Sequence, residues 1–121
     1  MGILVTSSSE TMRWLDIIKS NINKEIPLAE YNESIYWASF KNPTTKRKVV
    51  YLQPFKKQIR LFTKLPLSFD TKLEATPSSG IWAQMYPSIF KIRSEHDIEK
   101  AIYLIIKSYN SGLDRKRLAK S

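Results

Sequence analysis

Alternate residues between 56 and 64 are Lys56, Gln58, Arg60, Phe62 and Lys64. On a β-strand, alternate side chains stand on one face about 7 Å apart. Cations set out in this way suit the phosphates of a nucleic-acid strand, and an aromatic ring among them suits stacking on a base. Lys48 and Tyr51 lie in the preceding strand-like run and extend the set. The candidate nucleic-acid-binding residues are therefore Lys48, Lys56, Arg60 and Lys64, with Tyr51 and Phe62 as stacking residues and Phe55 as a further ring. The competing reading is defensive, since lysines on an exposed strand discourage pairing with another sheet.

The charge distribution favours binding. Residues 41–72 contain nine Lys and Arg against Asp70 alone, a net +8 in a chain whose formal charge is +9. Residues 1–40 are net −2, residues 73–110 are neutral and residues 111–121 are net +3. Clustered cations displace condensed counterions from phosphate backbones, so a polyanion is the first partner this patch implies. Arg115, Lys116, Arg117 and Lys120 form a smaller basic segment, either a clamping arm or a solvated tail.

Other chemistry is thin. With no Cys, thiol catalysis, disulfides and thiolate metal sites are excluded. Three glycines, at positions 2, 80 and 112, cannot build a P-loop or a dinucleotide cradle. His96 is the single histidine and falls in the first turn of the closing helix, where the dipole disfavours its charged form and no catalytic partner is in view. Glu25, Glu30 and Glu33 make a loose acidic patch with no nearby histidine, so no metal is expected there. No catalytic residue and no cofactor is expected. Trp14, Trp37 and Trp82 fall on or beside apolar patterns and are assigned to core packing.

The elements that must position the basic set follow from periodicity. Ser7 with Glu10 starts a helix that carries Met12, Leu15, Ile18 and Ile22 on one face, runs to about residue 23 and cannot pass Pro27. Residues 35–40, 47–53 and 56–64 read as strands of an antiparallel meander, with Val50 and Leu52 on one face of the second and Val49 and Tyr51 on the other. A long connection over 65–80 holds one short helical turn near 71–75, and residues 81–86 and 89–92 supply one or two more strands. Ser94 and Asp97 cap a closing helix whose buried stripe is Ile98, Ala101, Ile102, Ile105 and Tyr109, and Gly112 ends it. The expected fold is α+β: a two-layer sandwich whose antiparallel sheet of four or five strands has the N-terminal and C-terminal helices on one face. Residues 1–121 form one domain, with 113–121 a basic, flexible tail. No stretch approaches the roughly 20 apolar residues of a membrane span, and no secretory leader is evident, so a soluble cytoplasmic protein is expected.

Several segments carry a family likeness: Val49-Val50-Tyr51-Leu52-Gln53-Pro54, Lys56-Lys57-Gln58-Ile59-Arg60-Leu61-Phe62, Gly80-Ile81-Trp82, and the stretch from Ile98 to Ser108-Tyr109. They resemble a small group of uncharacterised domains fused behind nuclease-like or predicted transport proteins. In layout the chain is also similar to the MmcQ/YjbR family, whose compact fold is frataxin-like and whose members are described as DNA-binding. The resemblance implies the same α+β layout and carries no catalytic set. The expected function is a nucleic-acid-binding accessory module. The alternative is a protein-interaction or regulatory module with an acidic partner or a nuclease subunit.

Overall fold

The computed structural model describes residues 7–77 and 81–120, with side chains over 7–77 and 83–110. Helix α1 (Ser9–Glu25) is capped reciprocally. The Thr11 N–H donates to Ser8 Oγ at 3.2 Å, and the Ser8 N–H donates to Thr11 Oγ1 at 2.9 Å. The cap lies one residue beyond the expected Ser7 and Glu10, because Thr11 faces the core and its hydroxyl finds its partner at the helix start. Ser8 Oγ also donates to the Lys56 carbonyl at 2.6 Å, tying this helix to the sheet.

Six strands follow among the described residues: β1 (Glu30–Glu33), β2 (Ala38–Asn42), β3 (Arg47–Pro54), β4 (Ile59–Thr63), β5 (Glu74–Ala75) and β6 (Ser88–Ile92). They form one antiparallel sheet in the order β1-β2-β3-β4-β6-β5. Helix α2 (Ile81–Met85) lies between β5 and β6, and helix α3 (Ile98–Lys120) closes the chain. The α+β layout is the expected one. The sheet has six strands rather than four or five because its edges, Glu-Tyr-Asn-Glu and Glu-Ala, are too short and charged to show alternation.

One core lies between the sheet and helices α1 and α3. Trp14, Leu15, Ile18 and Ile22 meet Ala101, Leu104 and Ile105 over Phe40, Val50, Leu52, Ile59, Leu61, Phe90 and Ile92. Val49 joins this core instead of facing away from Val50. The cause is a bulge: Phe40 pairs with Val50 but Lys41 pairs with Lys48, which leaves Val49 as the extra residue. Its carbonyl accepts from the buried Ser108 hydroxyl at 2.9 Å, and Ser108 Oγ accepts the Lys64 N–H at 3.0 Å. One α3 hydroxyl thus satisfies two backbone groups of the sheet. Ser108→Ala is expected to cost about 2–3 kcal/mol in urea unfolding, because buried backbone groups would lose their partner.

Several expected elements differ. Residues 81–85 are helical rather than extended: the side of β6 next to them in sequence is already paired with β5. The turn expected near 71–75 is replaced by a 3-10 turn at Leu67–Phe69 followed by β5. Asp70 anchors this connection to α3 through Lys100; that hydrogen bond and the Lys72 N–H hold its carboxyl below the usual range. Helix α3 passes through Gly112 to Lys120, since the glycine is followed by the good helix formers Leu113, Arg115, Lys116 and Arg117. The side chains of the basic segment 115–120 lie outside the described residues, as do Gly80 and the side chain of Trp82. No helix among the described residues is long and apolar enough to cross a membrane.

The β2–β3 turn contains the one positive-φ residue other than glycine among the described residues, Lys46 at φ 59°. Its N–H donates to the Asn42 carbonyl at 2.7 Å, and the Asn42 side chain accepts the Thr44 N–H at 2.8 Å. A left-handed residue strongly favours glycine in such a turn. Lys46→Gly is therefore expected to stabilise the fold by about 0.5–1 kcal/mol, read as a raised urea midpoint.

Candidate functional site

Side chains opposite one another in the ladder share a face, so the register defines the surface turned away from α1 and α3. Across its middle run Ser39, Tyr51, Phe62 and Ile89. Gln53, Arg60 and Lys91 form the adjacent row toward the β3–β4 turn. Lys48 and Lys64 lie on the opposite side of the middle row, toward the β2–β3 turn.

The middle row is aromatic and largely covered. Phe62, Tyr86 and Ile89 are buried together, with Trp37 and Tyr51 packed against them. The ring of Trp37 meets Tyr51 edge-on at 5.9 Å and Phe62 at 5.5 Å, and Tyr51 meets Tyr86 at 5.1 Å. The Tyr86 hydroxyl donates to the Lys48 carbonyl at 2.7 Å, and burial pushes its pKa above the ordinary phenol value. Trp37 thus packs on this second face rather than in the main core.

Phe62 is not an open stacking surface. Its side chain is 4% exposed, because Tyr86 closes over the face that alternation leaves outside the main core. Tyr51 is half-buried, with Trp37 and Tyr86 each packed against it in T-shaped contact. The stacking role expected of these two rings requires a surface that the fold has filled.

The expected cations separate into two groups. Lys48 Nζ lies 5.2 Å from the Tyr51 ring centroid and Lys64 Nζ 5.4 Å from that of Tyr86, so two ammonium groups rest on adjoining rings. Exposed Lys46 and Arg47 continue this end. At the other end Lys56 is not on a strand: the Phe55 N–H donates to the Gln58 carbonyl at 2.7 Å, making 55–58 a turn with Lys56 and Lys57 at its tip. Arg60 lies between, its guanidinium carbon 5.2 Å from the Phe55 ring centroid. The straight row from Lys56 to Lys64 is thereby replaced by two basic ends about an aromatic middle. Sequence reading did not single out Lys46, Arg47 or Lys91. Lys91 stands beside Arg60 only through the β4–β6 register, for which composition carries no signal.

Five of the acidic residues described have side-chain partners of their own. Glu30 pairs with Lys41 at 3.4 Å, Glu74 with Lys91 at 3.2 Å, Glu95 with Arg13 and Asp70 with Lys100. Glu33 accepts the Tyr31 hydroxyl, whose pKa is raised by burial and then by that bond. No cluster of His, Cys, Asp or Glu able to hold a metal occurs among the described residues. His96 is exposed in the 3-10 turn Glu95–Asp97, where Asp97 accepts the Arg93 N–H at 2.8 Å and Ser94 contributes its carbonyl rather than its side chain.

The chain matches no family model, no curated protein and no solved structure.

Proposed function

We propose that this chain is an accessory module that binds the phosphate backbone of nucleic acid, using the basic end formed by Lys46, Arg47, Lys48 and Lys64, with Lys56, Lys57 and Arg60 as a second set. The observation that carries this reading is a charge imbalance. Lys46, Arg47, Lys48, Lys56, Lys57 and Arg60 form no ion pair among the described residues, while the acids Glu30, Asp70, Glu74 and Glu95 pair with other cations. Uncompensated like charge within one segment destabilises a fold and favours association with a polyanion. With the rings of Phe62 and Tyr51 packed, recognition rests on phosphates and is weakly sequence-specific.

The test is anisotropy of labelled single- and double-stranded oligonucleotides across a salt series. Binding at about 50 mM salt that weakens log-linearly as salt rises is expected. No affinity at that salt refutes the reading.

A second reading, a protein-interaction module, is favoured by a different surface. Leu28, Ile35 and Tyr36 are 72%, 62% and 50% exposed around the open β1 edge. Glu30 and Glu33 lie on that edge, so a partner docking there would be apolar and basic rather than acidic. A stoichiometric protein that copurifies after nuclease treatment and is lost on Ile35→Ser with Tyr36→Ser would favour this reading.

A further inference from the structure

Gln53, Arg60 and Lys91 stand abreast on β3, β4 and β6, each half-buried, on the face away from α1 and α3. Two cations directly opposed across a ladder repel each other. Lys91 has Glu74 beside it at 3.2 Å, but Arg60 has neither an ion pair nor a side-chain hydrogen bond among the described residues. Its Nε is buried without a hydrogen-bond partner. Buried polar groups in folded proteins are nearly always bonded, and Nε is the one guanidinium nitrogen of Arg60 that is closed off; the Nη groups of this half-buried side chain remain accessible and are the donors an acceptor from outside the chain can reach.

The surroundings narrow the chemistry. The Phe55 ring lies 5.2 Å from the guanidinium carbon and shields one side of it. On the same end of the face, Arg93 Nε lies 3.5 Å from Gln58 Oε1, and Lys56 and Lys57 occupy the adjoining turn, so the potential here is positive. A planar fork matches two oxygens of a tetrahedral oxyanion, an ammonium supplies a point charge, and an amide adds a neutral donor.

We propose that Arg60, Lys91 and Gln53 form a discrete site for one phosphate-class oxyanion, either a free phosphate ester or a phosphate of a nucleic-acid strand. The site rests in part on the backbone-binding reading, which already includes Arg60, and deepens it by adding Lys91 and Gln53 as a discrete anion site. Binding offsets the Arg60–Lys91 repulsion and supplies acceptors to the accessible Nη groups of the guanidinium.

The probe is inorganic phosphate, compared with sodium chloride at matched ionic strength in thermal unfolding of the full chain. At about ten times its dissociation constant, phosphate is expected to raise the melting temperature by about 5 °C beyond chloride, saturably. Arg60→Gln and, independently, Lys91→Gln are each expected to abolish that increment; Lys91→Gln keeps the test usable if the half-buried Arg60 is needed for folding. Equal effects of phosphate and chloride, or an increment retained in both variants, overturn the proposal. Oligonucleotide binding weakened by Lys91→Gln, at a residue outside the backbone-binding set, assigns the site to a strand phosphate, and binding left unchanged assigns it to a free phosphate ester. If oligonucleotides do not bind at all while the phosphate increment persists and is lost in Arg60→Gln, the backbone-binding reading falls and this site stands.

Discussion

Phe62→Ala lowers folding stability by about 3–5 kcal/mol, the cost of removing a large aromatic side chain from a packed site. The prediction is sharp because an exposed stacking ring behaves oppositely: surface truncations usually change stability by less than about 0.5 kcal/mol and act on binding instead. Here the ring is enclosed by Tyr86, Ile89 and Trp37, in a second apolar cluster on the reverse of the sheet. Loss of the ring leaves Trp37 without the edge contact at 5.5 Å and opens a cavity that Tyr51 cannot fill without leaving Tyr86. Urea unfolding should show a lower midpoint with an unchanged slope. Phe62→Leu, which retains most of the volume, should lose about 1–1.5 kcal/mol. A midpoint unaltered in Phe62→Ala would return the residue to the surface and restore its stacking role.

The main core was legible because it is periodic. Leu15, Ile18 and Ile22 recur at helical spacing, Ile59 and Leu61 at strand spacing, and the structure buries all five. Three features escaped for separate physical reasons. Alternation distinguishes two faces but does not say whether the outer one meets water, and here Tyr86, forty-odd residues from Trp37 in the chain, returns to cover it. A bulge inserts one residue without altering composition, so Val49 reads as outward although it is buried. A strand-like composition at 81–86 becomes a helix once β5 has taken the edge of β6, a tertiary outcome that local propensity does not contain. The basic segment shows the same division. Its charge count is a property of composition, whereas its separation into a Lys46–Lys48 end and an Arg60–Lys91 row depends on where two turns fall and how two strands register.

Replacing Lys46, Arg47 and Lys48 together by Gln should weaken oligonucleotide binding by about 10²–10³-fold near 0.1 M salt, if each side chain neutralises one phosphate. The dependence on salt is more diagnostic than the affinity: for duplex DNA, losing three phosphate contacts reduces the magnitude of the log–log slope by about 2.7. Lys46 and Arg47 are exposed and Lys48 is half-buried on the Tyr51 ring, so the fold should tolerate the change. Lys46→Gly separates strain from charge within the same turn. It relieves the left-handed backbone at φ 59° while deleting one cation, so it should stabilise the fold and still weaken binding about tenfold. Lys107→Gln supplies the contrast, because that lysine lies over Tyr103 on α3, on the helical layer across the sheet from the proposed surface. Equal losses from Lys107→Gln and from Lys46→Gly would mean that net charge alone drives association. A loss confined to the turn would mean that the backbone is held at one end of the sheet, where no described carboxylate pairs with Lys46, Arg47 or Lys48 to compete with phosphate.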